Sequence, residues 1–121
     1  MMRDPLHLQR EIGDTAAAML AGSISFIAGA RHICTICFEA GLEKDPDILR
    51  LRGIDSETDS LPIGAATRSQ WSEEALAGIA SDIERAQSWA CQVGTEACRN
   101  LVSRYLKPDR AGANLARERC P

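Results

Sequence analysis

Aromatic residues are scarce in this chain: two Trp, two Phe and one Tyr among 121 residues. Valine is also rare, and Ala, Leu and Ile supply most of the apolar side. That balance disfavours sheet, favours helix, and lets flat alanine faces approach one another closely. Long apolar runs are missing. The longest, Ala16–Ala21, falls far short of the ~20 residues a bilayer crossing needs. Met1–Pro5 leads into a polar, periodic stretch and not into the apolar centre of a secretory leader. The reading is a cytoplasmic protein with no membrane partner. An excess of one charge is absent too. A net charge of -3 steers no partner, and without a basic stripe no nucleic acid is expected. The glycines are scattered with no strand ahead of them, so no phosphate-binding loop is present.

What is there fits one small domain. A chain this long buries roughly two-thirds of its unfolded surface, enough for a core without staples. We expect a single all-α domain over residues 1–108, with a polar, frayed tail over 109–121. The five cysteines, an odd number, are expected to be reduced thiols.

Start and stop signals outline the helices. Asp4-Pro5 opens the first, which ends near Ala21-Gly22. Ser23 or Ser25 caps a second, whose wide apolar arc includes Ile24, Ile27, Ala30, Cys34, Cys37 and Phe38 and makes it the central helix. Gly41 is its stop. Asp45-Pro46 repeats the opening signal, and a short helix is predicted through about Leu51. Gly53 would end it, leaving an ordered loop over about residues 53–71. Ser72-Glu73-Glu74 is a further cap, followed by one face of Leu76, Ile79, Ala80, Ile83, Ala86 and Ala90. Gly94 is expected to break or kink this helix, Thr95 to recap it, and Lys107-Pro108 to end it. The sum is a four- to five-helix up-and-down bundle with one long loop.

Several constellations bear on chemistry. Cys34 and Cys37 form a CxxC, but within a predicted helix, where no helix N-terminus lowers a thiol pKa. They read as small apolar residues. A metal site joining them to Cys91 and Cys98 is an alternative, although the second pair is seven apart with Gly94 between, unlike the short-spaced pairs of structural zinc sites. His32 has no acid near it in sequence. Asp55, Glu57 and Asp59 alternate as calcium ligands do, but Ser60 and Ala66 stand where an EF-hand needs Gly and a carboxylate. These acids read as loop-holding groups, with Arg50, Arg52 or Arg68 as their partners. Trp71 precedes a cap and suits a hydrophobic staple with Ala75 or Leu76. Trp89 lies off the main apolar face, as a stacked ring or an interface anchor.

The segment Lys44–Leu49, then Gly53-Ile54-Asp55-Ser56-Glu57-Thr58-Asp59-Ser60-Leu61-Pro62-Ile63-Gly64, then Arg68 and Trp71-Ser72, resembles that of a group of small bacterial helical proteins without an established activity. The likeness covers about residues 23–106. It implies a helical fold, a bacterial source and a loop built as a unit, and it assigns no catalytic residue. Cys34–Cys37 and the Arg-rich tail are peculiar to this chain.

The functional reading is a non-enzymatic binding protein, antitoxin- or immunity-like. It would hold a protein partner or small ligand with Asp55, Glu57, Asp59, Arg68 and Trp71. No metal and no cofactor are expected. A homodimer through an Ala-rich face is compatible with this reading. The alternatives are a cysteine-based metal or redox protein and a small enzyme using the loop carboxylates.

Overall fold

A computed structural model describes residues 4–62 and 69–106. Among them the chain is all-helical, in four helices: α1 (Pro5–Ala21), α2 (Phe26–Ile36), α3 (Pro46–Thr58) and α4 (Glu73–Tyr105).

Local chemistry sets every start. Asp4 accepts from Leu6 N, Ser25 from Ala28 N, Asp45 from Asp47 N and Ile48 N, and Ser72 from Ala75 N. Each satisfies amide donors that the first turn leaves without partners. Gly22 (φ 82°) adopts the left-handed backbone that closes α1, whereas Gly41 (φ 76°) closes the turn over residues 37–42 that follows α2 and does not end the helix itself.

Three expectations need correction. Helix α3 does not stop at Leu51 but runs to Thr58, so residues 53–58 are helix and not loop. Ile48, Leu51, Ile54 and Thr58 recur every three or four residues and are all buried, and that stripe carries the helix through Gly53. Thr58 Oγ1 donates back to Ile54 O at 2.7 Å. From α2, Arg31 donates to the carbonyls of Thr58 and Leu61, tying the end of the helix and the turn after it to α2. Of the rest of the expected loop, residues 59–61 and 69–71 form turns and bends, and residues 63–68 lie outside the described residues.

The second correction is Gly94, which breaks nothing. Helix α4 is continuous over 33 residues. A Cβ at Gly94 would stand 3.0 Å from Phe26 Cδ2 and 3.1 Å from Ile54 Cδ1. Glycine there serves close packing against α2 and α3. Thr95 recaps nothing, since its hydroxyl donates to Cys91 O at 2.6 Å. Third, α2 ends at Ile36, and Phe38 falls in the following turn, 75% exposed instead of on the core face.

The core is built from α1, α2, α3 and the second half of α4. Gly13 of α1 lies against Tyr105 and Leu106, and Met19 meets Cys98. Helix α1 thus runs antiparallel along the end of α4. Helix α3 does likewise: Asp45 and Asp47 bond Arg104, Arg50 pairs with Glu96, and Ile54 faces Gly94. A 17-residue helix is about 25 Å long and a 33-residue helix about 50 Å. Neither α1 nor α3 therefore matches the length of α4. The buried residues of α4 accordingly begin at Ala90 and end at Val102.

Candidate functional site

The residues of the expected loop site are divided between the end of α3 and the entry of α4. Asp55 sits on α3 and faces Arg31, 3.7 Å from its Nε. The pair belongs to the same Arg31 that binds the end of α3. Glu57 is exposed on that helix, and Asp59 is its exposed C-terminal cap. Arg68 lies outside the described residues. Trp71 stands just ahead of the Ser72 cap and is 38% exposed. Asp55, Glu57 and Asp59 thus share one helix end, while Trp71 belongs to the entry of α4.

The cysteine alternatives are not assembled. Cys34, Cys37 and Cys98 form no disulfide, whereas Cys91 is disulfide-bonded, against the expectation of a reduced thiol there. Cys34 lies in the last turn of α2 and Cys37 is its C-cap, so neither is in the middle of the helix. Burial, reinforced by Asp55 and by Cys37, pushes the Cys34 thiol up to about 12. Burial also raises Cys37. Both shifts oppose the thiolate that redox or metal chemistry needs. Cys98 instead packs against Met19 Sδ at 3.8 Å. Among the described residues, no group of three or more His, Cys, Asp or Glu side chains is placed to hold a metal ion.

One pairing was invisible in the sequence. His32 Nε2 lies 2.8 Å from Glu11 Oε2 across α1 and α2, 21 residues apart. The pair borders a groove of about 440 Å³, shared with Asp14, Thr15, Ser23 and Ile24. It forms no nucleophile–base arrangement with Thr15, whose hydroxyl donates to Glu11 O at 2.9 Å. A smaller cavity of about 200 Å³ lies between the α1–α2 connection and α4, lined by Met19, Gly22, Ile24, Phe26, Gln87 and Cys91. Neither cavity includes Asp55 or Glu57. The carboxylate-enzyme alternative therefore gains no pocket from either.

The first half of α4 stands out. Its Leu76, Ile79, Ile83 and Ala86 are spaced three, four and three apart, which is the seam of a helix that packs along another helix. Among the described residues, Ala86 is packed against the core, whereas Leu76, Ile79 and Ile83 are half-buried and are not among the core side chains or those packed on it. Trp71 and Trp89, 38% and 39% exposed, stand at the two ends of this stretch. Sequence reading found the apolar face. It did not reveal that the face lies beyond the reach of α1 and α3.

Comparison with protein families, with curated proteins and with solved structures finds no match for the chain. No described helix is long and apolar enough to cross a membrane.

Proposed function

We propose that this is a non-enzymatic interaction protein whose contact surface is the first half of α4 together with Trp71 and Trp89. The observation that carries the reading is the Leu76–Ile79–Ile83 seam, apolar, regularly spaced and outside the core. A helix that receives another helix presents such a row, and exposed tryptophans are the side chains that most often anchor interfaces. The expected acidic site contributes less. Asp55 is engaged with Arg31, which leaves Glu57 and Asp59 as exposed acids at the end of α3. We also read the four helices as an up-and-down bundle, supported by the antiparallel pairing of α1 and α3 with α4.

The test is affinity capture from a lysate with three baits of verified helicity: the wild type, Ile79→Asp/Ile83→Asp and Glu57→Ala/Asp59→Ala. The expected result is a partner held by the wild type and by the acid-less variant, and lost from the seam variant. A partner lost only from Glu57→Ala/Asp59→Ala moves the site back to α3. A partner bound equally by all three baits removes both faces.

A further inference from the structure

We infer that the occupant of the α4 seam is a basic amphipathic helix of another protein, seated with an apolar end residue in the cavity beside Gln87 and Cys91. The inference rests on the interaction reading above and adds the chemistry of the partner.

Charge selects it. If Leu76 opens the repeat, the positions flanking the seam are Glu73, Ala80 and Gln87 on one side and Ala75, Asp82 and Trp89 on the other. Both ionisable flanks are acidic and neither is basic. Over residues 73–89 the carboxylates Glu73, Glu74, Asp82 and Glu84 face one cation, Arg85. Arg85 binds Asp82 on the exposed helix surface, a kind of pair that contributes little and is easily exchanged. Lysine or arginine flanking a partner seam would meet these carboxylates as opposite charges.

The same charges disfavour a second copy. Antiparallel pairing that sets Ile79 against Ile83 also sets Asp82 of the two copies side by side. No basic flank answers it, and like charges in contact disfavour association.

The cavity fixes where the partner ends. Gln87 lies one turn beyond Ile83 and the disulfide-bonded Cys91 one turn beyond Gln87, so the flank of the seam runs toward the opening formed with Met19, Ile24 and Phe26. Its volume, about 200 Å³, is below the roughly 300–1,000 Å³ of small-molecule sites and suits a single apolar side chain. Ala75, Ala77, Gly78 and Ala80 keep the surroundings low, so that a second backbone can approach.

The experiment uses the full chain and fluorescent peptides of about three heptads, with Leu and Ile on the seam and either Lys or Glu on the flanks. Binding is read by anisotropy, and self-association by sedimentation. The Lys peptide is expected to bind at least about tenfold more tightly than the Glu peptide, and to weaken with salt. In Glu73→Lys/Asp82→Lys the preference should invert. Replacing the apolar end residue of the Lys peptide with Ala should weaken it about tenfold. If both peptides bind equally and Ile79→Asp/Ile83→Asp abolishes both, the docking face stands and the basic partner is overturned. If neither binds and the wild type self-associates while the seam variant does not, the occupant is a second copy. If neither binds and the chain is monomeric, both the partner and the docking face are refuted.

Discussion

Replacing Arg104 with Ala tests the joint between α3 and α4. Arg104 donates to Asp45 at 2.5 and 3.0 Å and to Asp47 at 2.9 Å, and Asn100 adds a bond to Asp47 at 3.1 Å. Asp45 also caps α3, so one carboxylate both starts a helix and ties it to another. Its side chain is 11% exposed, that of Asp47 20%, and that of Arg104 38%. Charge-assisted bonds contribute about 1.5–3 kcal/mol when sheltered, while exposed pairs contribute under about 1. This half-sheltered cluster falls between, and Arg104→Ala should cost about 1–2 kcal/mol. In a domain of this size that lowers Tm by roughly 4–10 °C. The hydrogen bond from Arg104 holds the Asp45 carboxyl below its usual range, against the upward push of burial. A depressed carboxylate contributes stability above its unfolded pKa of about 3.9 and loses it as pH falls through the folded value. The wild-type–variant difference should therefore be full at pH 7 and shrink only below about pH 4. Urea unfolding across pH 7 to about 2.5 measures it. A difference under about 0.3 kcal/mol at pH 7, or one unchanged at the acid end, refutes the role given to the cluster.

Further outcomes follow from the corrected helices. Ile54→Ala should cost about 2–5 kcal/mol, because Ile54 is fully buried on a helix; a value within about 0.5 kcal/mol by urea titration would restore the loop reading. Gly94→Val should destabilise by about 2–3 kcal/mol through its clash with Phe26 and Ile54, and Gly94→Ala by less, since alanine recovers about 1 kcal/mol of helix propensity. If either variant raises Tm, the close approach is wrong. Cys34, pushed up to about 12 from 9.0, should hold about a thousandfold less thiolate at pH 8 than an unshifted thiol, and peptide mapping after iodoacetamide should find it the slower to label. Labelling at the rate of free cysteine contradicts its burial.

Helix starts were legible in the sequence because their chemistry is local. Asp4-Pro5, Asp45-Pro46 and Ser72 each act within three residues of themselves. The end of α3 was not, because what holds it is Arg31, 27 residues away in the chain. Gly94 misled for a related reason. A glycine written alone signals a break, and only the approach of Phe26 and Ile54 shows it to be a point of contact. The candidate site divides the same way. The place of Trp71 before a cap was readable but its 38% exposure was not, and the pairing of Asp55 with Arg31 and of His32 with Glu11 needs the packed helices. The seam on α4 was visible as a pattern, but an apolar pattern does not say whether the chain itself covers it.

Because only the second half of α4 is clamped by α1 and α3, its two halves belong to different energetic units. The amides beyond Ala90 can exchange their hydrogens only when the core opens. Those from Glu73 to about Trp89 can open by fraying from Ser72 while the core stays shut. Amide exchange should therefore fall along one unbroken helix from its first turn toward its last. Substitutions in the outer half can go unseen in a melting curve and still alter binding, since a partner seated there contributes the free energy that orders it.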